Sequence, residues 1–368
     1  MTVRQATPEE LKGWDARTVD PPGGHVYQSL AWAEHRSRTG WRAVHLVDDS
    51  DGGAALALLR PWPWIGGSSA YLPRGPIAAG ATPERLGARL AAMTDWLAER
   101  GVDVVATDAE VEASSGYRLE LRRRRFRPIP EIQPSRHRVS LPLPADGDET
   151  PVRAGLARST RQRIKAAERT NLRVARYDTA GWRPDLAPLF EPPDRPVDSA
   201  LDAFYSLLET TGDRRGFRFG PRTAFVPWWR LAHDAGHLVY LEASSGGAVV
   251  GGLVLYRHGE RLSTVHSADA AGAREAHPGV MHLLRWRAIQ LALREGRREM
   301  DLGGVDIGPD HREPAEGDPM AGLYEHKRSF GAGWVEMSGA HERVIRPWHG
   351  RAGRAAARLA RLARTASR

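Results

Sequence analysis

Lysine is the scarce cation of this chain, and its few positions are therefore informative. The 53 basic side chains include only three lysines, at Lys12, Lys165 and Lys327. Such heavy use of arginine is typical of a GC-rich genome, in which arginine is the easy substitute. A lysine differs chemically because its ammonium is a compact charge on a flexible stem. Glu325 lies two residues before Lys327 and an acidic loop precedes it at 306–318, so an ion pair is the simplest role for it.

A second candidate is Asp108, which follows the buried-type strand predicted at Val102–Thr107. Open α/β sheets place their functional groups at the carboxyl ends of strands, so this carboxylate is a candidate base. The alternative is a capping or structural carboxylate.

Metal and thiol chemistry have no support in the composition. The chain contains no cysteine, which excludes disulfides, thiolates and cysteine-ligated metals. His233 and His237 are four residues apart, but Gly236 ends the helix between them, and no helix carries a His-x-x-x-His pair. We therefore expect no metal.

The charge is segregated along the chain. Residues 346–368 carry seven arginines and no acidic residue, and residues 118–173 carry fifteen basic against six acidic residues, within a net charge of +8. This pattern indicates an anionic partner. For the tail, an anionic membrane leaflet, RNA and a frayed, solvated end all remain open. No run is long enough to span a membrane and the N-terminus lacks an apolar signal core, so we expect a cytoplasmic protein.

The order of predicted elements favours an α/β (α+β) architecture of mixed twisted sheets flanked by helices. Two stretches, 54–108 and 249–301, each predict a hairpin, an amphipathic helix stopped by Gly101 or Gly296, and a strand ending in Asp. This repetition indicates a tandem duplication. The expected segments are domain 1 at 1–150 (completed by about 325–345), domain 2 at 151–324, and a basic tail at 346–368.

The loop Arg274–Gly279, just before the helix predicted from Val280, resembles the pyrophosphate loop of GNAT-fold acetyltransferases. Gly279 fits the last position of that loop. His277 replaces its first glycine, however, and Pro278 removes a backbone donor. This half-match predicts a GNAT-like domain that does not grip coenzyme A.

Six blocks occur along the chain in one order. They are Gln28–Arg36 with Gly40-Trp41, Tyr71–Pro76, Ala106–Asp108, Arg158–Arg169, Thr211–Phe217, and Glu299–Val305 followed by Gly322–Gly331. Together they resemble the Fem-type (FemABX) aminoacyl-tRNA-dependent peptidyl transferases, which build the interpeptide bridge of peptidoglycan precursors. The resemblance covers roughly residues 25–340. It implies two tandem GNAT-like domains with a substrate channel between them, in the compact variant that lacks a helical arm.

The resemblance also implies roles for individual residues. Lys327 matches the lysine thought to stabilise the oxyanion, and Asp108 a carboxylate proposed as base. Arg36, where the family has lysine, and Arg214 would grip the phosphates of the acceptor. Tyr256 and Tyr324 are candidates to line the channel, or else belong to the core. His326 stands where the family has a phenylalanine. Binding of tRNA is expected at a basic face formed by Arg158, Arg161, Arg163 and Lys165.

The implied reaction is aminolysis of an aminoacyl-tRNA by the stem-peptide amine of UDP-MurNAc-pentapeptide or lipid II. Aminoacyl-tRNA is then a co-substrate, no cofactor is needed, and we expect a monomer, for which contact of the basic tail with the inner membrane face is one of the open roles of that tail. Asp108 could accept the proton, or the ribose hydroxyl of the substrate could shuttle it. Three alternatives remain: a natural-product acceptor, an acyl-CoA-dependent N-acyltransferase, and a non-catalytic RNA-binding module.

Overall fold

The computed structural model describes residues 2–133, 136–181, 184–216, 219–305 and 311–366. The chain divides into two compact units. Unit 1 comprises residues 1–136 and 336–368, and unit 2 comprises residues 137–335. Within the described residues, no helix has both the length and the apolar character needed to cross a membrane.

Short runs of strands and helices are interspersed along the described residues. The strands are β1 (Val3–Gln5), β2 (Arg42–Asp48), β3 (Gly53–Pro61), β4 (Ser68–Leu72), β5 (Val102–Thr107), β6 (Arg127–Pro128), β7 (His137–Pro142), β8 (Arg173–Tyr177), β9 (Leu238–Ser245), β10 (Ala248–His258), β11 (Arg261–Asp269), β12 (Glu299–Asp301), β13 (Gly333–Glu336) and β14 (His341–Val344). The helices are α1 (Pro8–Lys12), α2 (Trp14–Thr18), α3 (Leu30–Ser37), α4 (Pro83–Ala98), α5 (Tyr117–Arg123), α6 (Glu149–Gly155), α7 (Arg158–Glu168), α8 (Val197–Arg215), α9 (Arg222–Asp234), α10 (Ala273–Ala276), α11 (Val280–Arg294), α12 (Ala321–Arg328) and α13 (Pro347–Ala366).

The two sheets are built on the same plan. The sheet of unit 1 has the order β1-β2-β3-β4-β5-β14-β6, and that of unit 2 the order β13-β7-β12-β11-β10-β9-β8. In unit 1, β3 and β4 are antiparallel and β4 and β5 are parallel neighbours joined through α4. In unit 2, β10 and β11 are antiparallel and β11 and β12 are parallel neighbours joined through α11. The predicted mixed sheets flanked by helices are thereby confirmed, and the shared connection is the one the repetition indicated.

The helix of each repeat ends where a glycine allows the chain to turn back to the sheet. Gly101 follows α4 with φ of 86°, and Gly296 follows α11 with φ of 67°. Only glycine adopts such left-handed angles without a steric penalty. Each helix packs its apolar side into its own core, with Leu90 and Met93 of α4 and Leu284 and Ile289 of α11 fully buried.

The chain passes from unit 1 to unit 2 at Arg136/His137, earlier than the predicted boundary at residue 150. The reason is strand pairing, because β7 is hydrogen-bonded to β12 of the second sheet. The basic pattern of residues 151–169 predicts a single helix, but the structure divides this segment into α6 and α7. Leu156 has an extended backbone, with ψ of 139°, which interrupts the helix.

The basic tail forms helix α13, which packs on unit 1 instead of fraying. Asp103, a fully buried residue of β5, anchors its start. The carboxylate accepts hydrogen bonds from Trp62 Nε1 at 2.7 Å and His349 Nδ1 at 2.9 Å, and pairs with Arg346 Nε at 2.6 Å. A Cβ at Gly353 would collide with the Trp62 ring, so the helix lies directly against that indole.

Candidate active site

Lys327 is a buried ammonium held by backbone oxygens. Its side chain lies on α12 and the residue is only 4% exposed. Nζ donates hydrogen bonds to the carbonyls of Gly303 at 2.7 Å and Gly304 at 2.9 Å, in the loop that follows β12. A Cβ at Gly303 would approach Thr264 O at 2.8 Å and Lys327 Nζ at 3.4 Å. The lack of a side chain at Gly303 therefore leaves room for the lysine to reach the end of the strand.

Lys327 forms no ion pair with any residue that the structure describes, although an ion pair was the simplest sequence-based role. Glu325 pairs instead with Arg328 at 3.7 Å. Glu313, in the acidic loop, accepts a hydrogen bond from Tyr324, while residues 306–310 of that loop lie outside the described residues. Two backbone carbonyls use two of the three ammonium hydrogens, which leaves one N–H without an acceptor among the described residues.

The surroundings of Lys327 disfavour its charge. Burial and repulsion from Arg285 lower its pKa to about 7, and the carboxylate of Asp301 partly opposes this shift. Burial likewise raises the pKa of Asp301. A lysine at this point therefore exchanges its proton near neutral pH and has little water around it to compete for an anion.

Arg285 was not predicted from the sequence, yet it belongs to this cluster. It is 3% exposed, and its Nε donates to His326 Nε2 at 2.9 Å. Nη1 is buried without a hydrogen-bond partner among the described residues. Burial lowers the pKa of Arg285 to about 10. The only signal in the sequence is an arginine inside the apolar run Leu283–Trp286 of α11.

His326, adjacent to Lys327, is neutral in this setting. Burial and nearby Arg285 lower its pKa to about 2. Since its Nε2 accepts the hydrogen bond from Arg285, the ring proton is assigned to Nδ1. The ring packs edge-on against His282 at 4.4 Å and Phe330 at 5.5 Å. It thus fills an aromatic position beside Phe330, and it also fixes the Arg285 guanidinium.

Arg214 lies in a second cationic cluster of unit 2. Its Nη2 donates to Asp269 O at 2.7 Å and approaches Asp269 Oδ1 at 3.2 Å. Arg215 and Arg274 bind the same carboxylate at 3.3 and 2.7 Å. Three guanidinium groups on one carboxylate leave net positive charge at the end of β11, which suits an anion. Arg215 and Arg274 were not predicted, and Phe217 of the same motif lies outside the described residues.

The two candidate tyrosines are both buried. Tyr256 accepts a hydrogen bond from Trp228 Nε1 at 2.6 Å and packs edge-on against that indole. Tyr324 packs edge-on against Trp334 at 5.7 Å, and its hydroxyl donates to Glu313. This geometry favours the core role that the sequence left open for each of them.

Helix α7 presents a basic face to solvent. Arg158, Arg161, Arg163 and Lys165 are all exposed, and none forms an ion pair with a described residue. Arg161 instead donates to the carbonyls of Ala154 and Leu156 at 3.0 and 2.9 Å. The opposite side of α7 is buried. These cations are therefore available to polyanions.

The same helix covers the loop that resembles a pyrophosphate site. Gly279 begins α11 with φ of 89°, and a Cβ at this position would collide with the Arg163 carbonyl. The backbone of α7 thus lies against the point where a GNAT-type loop approaches phosphate, and its carbonyl repels anions there.

In unit 1, Asp108 is buried and both of its oxygens are engaged. Oδ1 accepts a hydrogen bond from Arg74 N at 2.7 Å and Oδ2 from the Tyr71 hydroxyl at 2.9 Å. Arg74 Nη1 lies 3.8 Å from Oδ2. Burial raises the pKa of Asp108, and Arg74 opposes the shift. The contacts fit a carboxylate that fixes the Tyr71–Pro76 turn.

Arg36 is half-buried and has no carboxylate partner among the described residues of unit 1. Its guanidinium lies over the rings of Trp32 and Trp41, at 5.3 and 5.2 Å from their centroids. Nε is buried without a hydrogen-bond partner, and burial together with Arg60 lowers the pKa of Arg36. A guanidinium held by two indoles and left uncompensated is well placed to bind an anion.

The predicted site residues are distributed over both units. Asp108 and Arg36 belong to unit 1, whereas Lys327, His326, Arg214, the two tyrosines and the α7 cations belong to unit 2. Within unit 2, the structure brings Lys327 and His326 together with Arg285. Among the described residues, no group of acidic, histidine or cysteine side chains is arranged to hold a metal ion.

Comparison with known proteins identifies the class of fold. Residues 158–328 match the family model described as an acetyltransferase (GNAT) domain. A crystal structure of FemX superposes with a TM-score of 0.76 at 18% identity, covering 94% of this chain and 98% of that one. A domain of a putative lysylphosphatidylglycerol synthetase from Agrobacterium fabrum gives 0.54 at 12% identity, covering 91% of each chain. The protein is a tandem GNAT-fold chain.

Sequence similarity to a curated protein adds to the similarity of fold. The lipid II:glycine glycyltransferase of Staphylococcus aureus is 23% identical over 233 residues, which are 61% of this chain and 50% of that protein. The chain thus spans about half the length of the curated relatives it matches. Together with the GNAT match and the FemX fold, this homology supports the resemblance to the Fem-type family that the six sequence blocks indicated.

Proposed function

We propose that this chain transfers an amino acid from aminoacyl-tRNA to the amine of a peptidoglycan stem peptide, carried on UDP-MurNAc-pentapeptide or lipid II. One observation carries the proposal: the buried Lys327 ammonium donates to the Gly303 and Gly304 carbonyls and forms no ion pair with a carboxylate among the described residues. A relative named for glycyl transfer to lipid II supports the choice of acceptor.

The chemistry is aminolysis of an ester. The neutral stem amine attacks the ester carbonyl, a C–N bond forms, and negative charge develops on the carbonyl oxygen. Collapse of the intermediate breaks the C–O bond to the ribose, and the proton lost by the amine is delivered to the departing hydroxyl. Lys327 stabilises the oxyanion with a fixed charge, an effect of about 3–4 kcal/mol in comparable sites.

Basic side chains away from Lys327 are suited to the phosphate groups of the two substrates. The exposed face of α7 is suited to the phosphates of tRNA, and such binding weakens steeply as salt increases. Arg36 and the Arg214 cluster are suited to the phosphates that link the stem peptide to its nucleotide or lipid. In this assignment Asp108 positions the Tyr71–Pro76 turn and is not the base.

The proposal is tested by offering the purified chain a panel of radiolabelled aminoacyl-tRNAs with UDP-linked and lipid-linked stem peptides. We expect label in the peptide with at least one pairing, and none when the stem amine is acetylated beforehand. Failure of every aminoacyl-tRNA to donate its amino acid to either acceptor would overturn the proposal.

We expect coenzyme A and acetyl-CoA to leave the melting temperature unchanged, because the α7 backbone lies against Gly279. A ligand at a hundred times its Kd stabilises a protein by about 2.7 kcal/mol, which a melting curve resolves easily. Aminoacyl-tRNA in low salt serves as the positive control. A clear rise in melting temperature with coenzyme A would favour the acyl-CoA alternative.

We expect Asp108→Asn to retain kcat within about tenfold, since an amide oxygen still accepts the Arg74 N–H and a general base contributes about 10²–10⁴-fold. Asp108→Ala is the matched variant, and it should lower the melting temperature by removing both contacts. A fall in kcat of a hundredfold or more in a folded Asp108→Asn protein would restore the base assignment.

A further inference from the structure

Helix α13 exposes a row of large apolar side chains. Trp348, Leu359 and Leu362 are 81%, 60% and 67% exposed. With Ala352 and Ala355 between them, they follow steps of four and three residues, which place them on one side of the helix. We call this row the outer stripe.

The outer stripe is not the side that holds the helix to the protein. The side toward unit 1 is made of small buried residues, Gly350, Gly353, Ala356 and Ala360. Gly353 lies against Trp62, and Arg354 pairs with Glu342 at 2.6 Å. The outer stripe therefore does not contribute to the packing of α13 on the rest of unit 1. Contact of its apolar side chains with water is unfavourable in free energy.

The loop between β3 and β4 adds to this surface. Trp64 and Ile65 in that loop are 75% and 38% exposed. A Cβ at Gly67 would lie 2.8 Å from His349 Cε1, so the loop packs beside the start of α13. Of the large apolar side chains exposed among the described residues, all but Leu119 and Ile132 lie on the outer stripe or on this loop.

The charged side chains of the tail itself, beside the outer stripe, are all positive. Residues 346–368 contain seven arginines and no acidic residue. Arg351 lies over the Trp348 ring at 5.2 Å. Arg358, about two helical turns further along α13, is also exposed. A helix with tryptophan and leucine on one side, flanked by arginines, is typical of binding in the plane of an anionic bilayer surface.

We propose that the outer stripe and the β3–β4 loop form a docking surface for an anionic lipid membrane. The tryptophans and leucines enter the headgroup region, and the arginines contact lipid phosphates. RNA would pair with the arginines but leave Leu359 and Leu362 in water. A second copy of the chain would bring two arginine-flanked stripes together. An anionic membrane is the partner that buries the apolar side chains and also pairs with the arginines.

The test is cosedimentation of the full chain with phosphatidylcholine vesicles, with and without phosphatidylglycerol. We expect binding to the anionic vesicles alone, weakened by salt. Trp348→Ser/Leu359→Ser/Leu362→Ser should weaken binding at least about tenfold, since affinity scales with buried apolar area. Arg351→Gln/Arg358→Gln should also weaken it at least about tenfold, at about fivefold for each charge.

Leu119→Ser/Arg122→Gln, on α5, is the matched control and should bind like the wild type, and melting curves verify that each variant is folded. No binding to anionic vesicles, or equal binding by the triple variant, would overturn the proposal, as would a triple variant whose only defect is in RNA binding or self-association. These vesicles contain no stem peptide and no tRNA, so the result is independent of transfer activity.

Discussion

Lys327→Ala is expected to lower kcat for aminoacyl transfer by about 10²–10³-fold, the loss typical of removing one oxyanion donor. The neutral side chain cannot compensate the charge that develops when the amine attacks. The affinity for tRNA and its salt dependence should stay unchanged, because the exposed cations of α7 are intact. Single-turnover transfer of a radiolabelled amino acid measures the chemical step, and filter binding measures the tRNA affinity.

Two further variants make this result interpretable. Lys327→Met fills the site without a charge and should be as inactive as Lys327→Ala, which excludes a cavity as the cause. Lys12→Ala removes an exposed lysine of α1, outside the proposed binding and catalytic residues, and should retain normal kcat. If Lys327→Ala kept wild-type kcat, the oxyanion assignment would be wrong. If tRNA binding were also lost, the effect would not be specific to chemistry.

Arg36→Ala is expected to raise KM for the stem-peptide acceptor by about 10- to 100-fold, with kcat little changed. A hydrogen bond to a charged group contributes about 1.5–3 kcal/mol, and each 1.4 kcal/mol is tenfold in affinity. The guanidinium is pre-positioned by Trp32 and Trp41 and has no carboxylate partner among the described residues. Initial rates at varied acceptor concentration, with saturating aminoacyl-tRNA, separate KM from kcat.

Arg36→Lys should recover part of the lost affinity, since a lysine occupies this place in the family. Arg42→Ala removes an exposed arginine of β2 in the same unit and should leave KM unchanged. An acceptor KM that is the same in Arg36→Ala and the wild type would exclude Arg36 from the binding site. A loss of kcat alone would assign it another role.

The layered fold could be predicted because its signals are local. Glycine stops, hairpin turns and the amphipathic pattern of α4 and α11 are properties of short segments, and the repeated order of these segments indicated the duplication. The break at Leu156 was missed because the basic helix pattern continues through it. The transfer of the chain to the second sheet at His137 depends on pairing with β12, far along the sequence.

Residue type alone marks a candidate site residue only where that type is rare in the chain. Lys327 stands out in an arginine-rich chain, and its Gly303-Gly304 partners fall within a recognisable block. Arg285 does not stand out, since one arginine among many reveals its importance only through burial. The role of Asp108 likewise depends on Tyr71 and Arg74, which lie more than thirty residues away in sequence.

The pH dependence of kcat in the wild type and Lys327→Arg tests most directly whether the Lys327 ammonium stabilises the oxyanion. Only the protonated lysine can act, and burial places its pKa near 7, so wild-type activity is lost as the pH rises through that value. Arginine stays charged throughout. The ratio of the two rates cancels ionisation of the substrate amine. We predict that the ratio of wild-type to Lys327→Arg rate falls above neutral pH. A ratio that is constant with pH would contradict the account.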